Sequence, residues 1–140
     1  MAVDYGPRRV GLAMTDGLGL AAHPVGTFSP DEALARLRHL HAMHGLSRIV
    51  IGWPLEPDSA EGPAVARVRP YLGRLRNAFP DVPVEPFDER DTSREAAAAM
   101  HTAGRWKAVR RDKGRLDAAA ACVLLERFLE ENRESEGAAS

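Results

Sequence analysis

The stretch Val3-Asp4-Tyr5-Gly6-Pro7-Arg8-Arg9-Val10-Gly11-Leu12-Ala13 decides the fold. An apolar start runs into an acid and an aromatic residue, and Gly6-Pro7 supplies turn chemistry. A second, mostly apolar run from Arg9 to Met14 then fits a returning strand. Thr15-Asp16-Gly17 is another turn, and the segment from Leu20 to Phe28 a third extended run. Pro24 within that run lacks a ladder donor, so the third strand is expected at a sheet edge. Three strands joined by tight turns make an antiparallel meander.

Outward from this hairpin the period changes. Ser29-Pro30-Asp31-Glu32 is a helix start, with Ser29 as N-cap, Pro30 at the first helical position and Glu32 closing a capping box. Leu34, Leu37, Leu40 and His41 recur at helical spacing, and Gly45 stops the helix. Residues 48–53 form a β-branched run that reads as a fully buried strand ended by Pro54. After a polar loop over 55–62, a helix is expected over 62–79, with Val65, Val68, Leu72, Leu75 and Phe79 on one face. Pro70 should kink it or shorten its first half. Residues 82–87 are the next strand. Thr92-Ser93-Arg94-Glu95 opens an Ala-rich helix ending near Gly104. Residues 105–115 read as a mobile basic loop, residues 116–131 as a final amphipathic helix, and the tail beyond as frayed.

The order is therefore βββ-α-β-α-β-α-α. Strands reached through helices should run parallel to the first. The expectation is an α/β fold: a mixed five-stranded sheet, an antiparallel three-strand meander plus parallel strands, with helices on both faces. One domain over residues 1–133 and a flexible tail over 134–140 account for the 140 residues.

Composition narrows the class. Hydrophobic residues make up 44% of the chain, enough for a core. A single cysteine, Cys122, excludes an intramolecular disulfide and any cysteine-rich zinc site. No apolar run reaches the roughly 18 residues of a membrane span, and no signal-peptide stretch is present, so a cytoplasmic location is expected. The net charge of −1 does not advertise nucleic-acid binding, but distribution matters more than the sum.

Four acids fall at element ends. Asp4 closes the first strand, Asp88 and Glu89 close the last, and Asp117 lies in the first turn of the final helix. Parallel first and last strands open on one sheet edge, where α/β sheets bind ligands. Carboxylates gathered there repel one another unless a cation sits among them. Hard oxygen donors suit Mg²⁺ or Mn²⁺, and paired ions of this kind assist phosphoryl transfer. Taken singly, each acid also has a plain structural role, as a helix-dipole acid or a solvated strand end.

A basic segment precedes Asp117. Arg105, Lys107, Arg110, Arg111, Lys113 and Arg115 surround Trp106. Such a segment neutralises phosphates, and the indole can stack on an unpaired base. Arg8 and Arg9 add positive potential just after Asp4. His41 and His44 have a spacing that a metal could use, but an ordinary helix end explains them better.

These motifs resemble the YqgF family, also called RuvX-like, whose members are described as Holliday-junction resolvases and as pre-16S rRNA nucleases. Four blocks carry the resemblance: the opening hairpin, Ile51-Gly52-Trp53-Pro54-Leu55 with Glu61-Gly62, Asp88-Glu89-Arg90-Asp91-Thr92-Ser93, and Leu116-Asp117-Ala118-Ala119-Ala120-Ala121. They span nearly the whole chain. Asp91 departs from the family pattern, which has an apolar residue there, and Glu56 stands where an Asn is usual.

The resemblance implies an RNase H-like fold and a metal-dependent nuclease with an acidic triad, leaving 5′-phosphate and 3′-hydroxyl ends. Carried over, Asp4 and Asp117 are the first and last acids. Glu89 is the favoured middle acid and Asp88 the close second, because facing at a strand end is ambiguous in sequence. Arg90 and Thr92 would support the site. The expected activity is Holliday-junction resolution, within DNA recombination and repair, or processing of the pre-16S rRNA 5′ end, within ribosome biogenesis. The partner is branched DNA or single-stranded or precursor RNA. A two-fold junction would call for a homodimer. The rivals are a non-catalytic nucleic-acid-binding factor acting in transcription and an actin-like ATPase domain, for which the chain is too short.

Overall fold

A computed structural model of the chain describes residues 1–6, 8–16, 21–56, 58, 60–88 and 113–139, the side chains of 113–117 and 133–139 excepted. Five strands form one sheet: β1 (Ala2–Tyr5), β2 (Val10–Thr15), β3 (Ala22–Phe28), β4 (Ile49–Trp53) and β5 (Val84–Asp88). Their order is β3-β2-β1-β4-β5, so the strand carrying Asp4 is central. β1 pairs antiparallel with β2, and β2 with β3. β4 joins β1 in parallel, and β5 joins β4 in parallel. This is the expected meander with parallel additions, an α/β architecture consistent with the RNase H-like fold.

Both outermost strands carry a proline, Pro24 in β3 and Pro86 in β5, where a missing donor disturbs no inner ladder. A register shift opposite Leu12 and Ala13 bends β3. Gly26, beside it, has φ +149, a backbone that L side chains rarely adopt, and a Cβ there would stand 3.1 Å from the Phe28 ring.

The sheet register sorts side chains between two faces. Val3 aligns with Leu12 and with Ile51. These residues, with Ile49, Trp53 and Val84, pack beneath helices α1 (Pro30–His44) and α2 (Pro63–Ala78). Leu34, Leu37, Val65, Val68, Leu72 and Leu75 complete this larger core. On the opposite face Ala2 aligns with Ala13, and both meet Ala121, Leu124 and Leu125 of helix α3 (Lys113–Ala139). Small residues on strand and helix let α3 approach β1 and β2 closely, and two leucines fill the remaining volume. Helices thus cover both faces.

Local chemistry sets the helix ends. Ser29 Oγ accepts from the Glu32 N–H at 3.2 Å, half of the expected capping box. Gly45, at φ +70, donates to the His41 carbonyl at 2.9 Å and closes α1. His41 Nδ1 accepts the Leu46 N–H at 2.9 Å, so this imidazole is a structural cap. α2 is unbroken from Pro63 to Ala78. Pro70 therefore removes one ladder bond without ending the helix, because the apolar stripe on either side of it stays buried.

α3 departs from the sequence reading at both ends. It begins at Lys113, inside the segment read as loop, and the residues read as a flexible tail continue it to Ala139. Lys, Arg, Leu, Glu and Ala are all good helix formers, and they outweigh Gly114 and Gly137. The second capping box at 92–95, the Ala-rich helix after it and the basic residues 105–112 lie outside the described residues.

Candidate nuclease site at the carboxyl edge of the sheet

Parallel β1, β4 and β5 all end on one edge, at Tyr5, Trp53 and Asp88. Asp4 lies there, half-buried and one residue from the end of the central strand, opposite Gly11 of β2. The turn that follows is closed by the Gly6 N–H donating to the Arg9 carbonyl at 2.8 Å. A Cβ on Gly6 would itself stand 2.8 Å from that oxygen, so the tight return requires glycine. Arg8 and Arg9 are exposed on this turn.

Asp4 shares the face of Ala2, two residues before it, which is the α3 face. Asp117 lies in the early turns of α3, four residues before Ala121. The buried cluster that includes Ala2 and Ala121 therefore joins the two elements that carry Asp4 and Asp117. Asp88 is the last residue of β5 and aligns with Trp53, whose side chain is buried on the α1/α2 face. That register puts Asp88 out of phase with Asp4. Asp88 also lines a shallow groove at the sheet edge with Pro86, Phe87, Arg127, Glu130 and Glu131. Among the described residues no three acids, histidines or cysteines stand close enough together to hold a metal ion.

Glu89, Arg90, Thr92, Arg105, Trp106, Lys107, Arg110 and Arg111 lie outside the described residues. Lys113 and Arg115 belong to the first turns of α3, where side chains are not described.

Trp53 packs as core, 8% exposed, with the Arg69 guanidinium 5.4 Å above its ring. The loop after it folds on itself. Glu56 N–H donates to the Ala60 carbonyl, and Ala60 N–H to Asp58 Oδ1, at 2.9 and 3.0 Å. Gly62 ends this loop and begins α2 with the Glu56 side chain directly against it, where a Cβ would collide. Tyr5, the neighbour of Asp4, stacks on Tyr71 of α2 at 4.8 Å. Tyr71 Oη donates to the Pro30 carbonyl at 2.8 Å, and burial pushes its hydroxyl up to about 12 against the opposing pull of Arg74. This aromatic pair ties the end of β1 to both helices of the larger core. The sequence reading missed it, since the two tyrosines are 66 positions apart. The alternation of β1 is the signal that could have found it, because it sends Tyr5 to the face opposite Asp4.

A family model described as RuvX, Holliday junction resolvase, matches residues 1–131. A protein of Chlorobium luteolum is 48% identical over 133 residues, covering 95% of this chain and 94% of its own length. One of Salinibacter ruber is 45% identical over 129 residues, covering 92% and 90%. One of Prosthecochloris aestuarii is 41% identical over 132 residues, covering 94% and 93%. Each of the three carries the name "Putative pre-16S rRNA nuclease".

Proposed function

The chain belongs to the RuvX family, and from that membership and the acid-bearing sheet edge we propose that it is a nuclease hydrolysing phosphodiester bonds in nucleic acid. The observation that supports a site there is the packing of β1 against α3 in one buried cluster that includes Ala2 and Ala121, because the same two elements carry Asp4 and Asp117. A binding factor without cleavage is not favoured, because the family and the named relatives are described as enzymes.

Asp4, Glu89 and Asp117 would hold Mg²⁺ or Mn²⁺, with Asp88 as the alternative middle acid. The donor set fits such ions, being carboxylate oxygens at the ends of rigid elements. Glu89 is preferred because the register puts Asp88 out of phase with Asp4. When bound, divalent ions lower the pKa of water and offset charge on the leaving oxygen. The protein's part is positional. β1 and α3 would hold two of the acids, with Gly11 opposite Asp4 in the sheet. Arg8, Arg9, Arg90, Thr92 and the basic residues from Arg105 to Arg115, with Trp106, would draw in and orient the phosphate backbone.

Two substrates follow from the names: a four-way DNA junction for the family, and an rRNA precursor for the relatives. Junction resolution would pair two sites in a homodimer. The test is cleavage of a synthetic four-way junction and of single-stranded precursor RNA in Mg²⁺ or Mn²⁺, with Asp117→Asn alongside. Symmetric junction cuts lost in the variant assign resolution, and RNA cuts lost in the variant assign processing. An Asp117→Asn protein that cuts as fast as the wild type would refute the site.

A further inference from the structure

Helix α2 carries four arginines and no carboxylate over its 16 residues. Arg67 and Arg74, seven positions apart, lie along one flank of its buried stripe of Val65, Val68, Leu72 and Leu75. Arg69 and Arg76, also seven apart, lie along the other flank. Between the two flanks, facing away from the sheet, run Ala66, Pro70, Gly73 and Asn77, all exposed. Pro70 and Gly73 are the poorest residues for a helix interior, and a Cβ at Gly73 would meet nothing within 4 Å. The buried stripe on the opposite side of the helix offsets that loss, and both residues stay on the exposed face. The result is a low ridge with cations along both sides.

The arginines are held in place. Arg69 lies over Trp53 and Arg74 over Tyr71, at 5.4 and 5.5 Å. Arg76 Nε and Nη2 both donate to the Val84 carbonyl, at 3.2 and 3.1 Å. Arg67 Nε donates to the Pro63 carbonyl at 3.3 Å. Two carboxylates face this surface from other elements, Glu61 against Arg69 and Asp31 against Arg74. Both pairs are exposed, and exposed pairs are weak enough for a phosphate to displace.

We propose that the outer face of α2 is a docking surface for double-stranded DNA, its small-residue ridge entering the major groove and its two arginine flanks meeting the phosphates on either side. A helix about 10–12 Å across matches a B-form major groove about 12 Å wide, whereas the A-form major groove of duplex RNA is too narrow to admit it. α2 lies over β4 and the edge strand β5, and among the described residues no element packs on its outer face. It starts at the same sheet edge as Asp4 and runs back about 24 Å. The surface would hold a duplex arm whose end reaches the acids. The inference rests on the nuclease reading for what that arm is, not for whether it binds.

The test is fluorescence anisotropy of a short labelled DNA duplex without added divalent metal, across a salt series, with the matching RNA duplex in parallel. Arg67→Gln/Arg69→Gln is expected to weaken DNA binding roughly tenfold or more and to reduce the log–log salt slope by about 1.8, two phosphate contacts at about 0.9 each. Gly73→Tyr, which changes no charge and has open space, should weaken binding by blocking the ridge. Gly73→Ala should raise thermal stability with little effect on binding. DNA affinity and slope unchanged in the double variant, or equal binding of RNA and DNA duplexes, would overturn the proposal. If the wild type cleaves nothing but the arginine variants still lose duplex binding, this surface stands and the nuclease reading falls. If the wild type cleaves and the variants bind as it does, the nuclease reading stands and this surface falls.

Discussion

Replacing Leu124 by alanine separates the two cores of this protein. The α3-side cluster has five buried residues, and three of them are alanine. Leu124 and Leu125 are the two large side chains among those five, and short alanines cannot swing in to fill a void. Leu124→Ala should cost toward the upper part of the ~2–5 kcal/mol seen for such truncations, a large share of a typical ~5–15 kcal/mol domain stability. Leu37→Ala removes the same atoms from the larger α1/α2 core, where Leu37 is equally buried, and should cost a similar amount. Function should part them. Leu124 sets the distance between α3 and β1, which carry Asp117 and Asp4, while Leu37 has no such role. Urea denaturation gives the two stability losses, and cleavage is compared at a temperature where circular dichroism shows both variants folded. Leu124→Ala should then cleave about tenfold or more slowly per folded molecule, since even a ~1 Å misplacement can cost about 10²-fold. Leu37→Ala should cleave at close to the wild-type rate. Equal rates for the two folded variants would refute the argument that the α3 contact positions the acids.

The Met1 amine donates to the Arg48 carbonyl at 3.3 Å, and burial lowers its pKa from 8.0 to about 6. Between those values the unfolded chain holds more protons than the folded one, so stability should rise from pH 6 to pH 8, by at most about 3 kcal/mol. Urea midpoints at the two pH values, with an N-acetylated chain to subtract the histidines, measure the amine's share; no difference between the two chains would refute it. Ser29→Ala should cost about 1 kcal/mol through loss of the α1 cap, read as a shift in the denaturation midpoint at constant m-value. Tyr71→Phe should cost about 1 kcal/mol from the bond to the Pro30 carbonyl while leaving the stack on Tyr5 intact, which near-ultraviolet circular dichroism checks. Chelation of divalent metal should abolish cleavage, and Mn²⁺ or Mg²⁺ should restore it without any change in the fold.

Much of this architecture was legible in the chain. The opening hairpin, the Ser29 cap, the Gly45 stop and the buried run ending at Trp53 all depend on neighbours within a few residues, so local chemistry specifies them. The meander, the parallel additions and the edge positions of the prolines follow from those elements by general rules of connection. The carboxyl-edge position of Asp4 was legible for the same reason.

What the chain alone left open depends on partners distant in sequence. The facing of a strand end is one such case: only the pairing of Trp53 with Asp88 sets the phase of Asp88. The extent of α3 is another, because the charged residues at its start read equally well as a loop. Ala2, Ala13 and Ala121 are unremarkable small residues in sequence, and only the folded sheet joins them into the contact that links Asp4's strand to Asp117's helix. Short-range hydrogen bonding and apolar periodicity determined which elements form. Packing across the sheet decided which faces Asp4 and Asp88 occupy, because that choice belongs to the register between strands and to no single one of them.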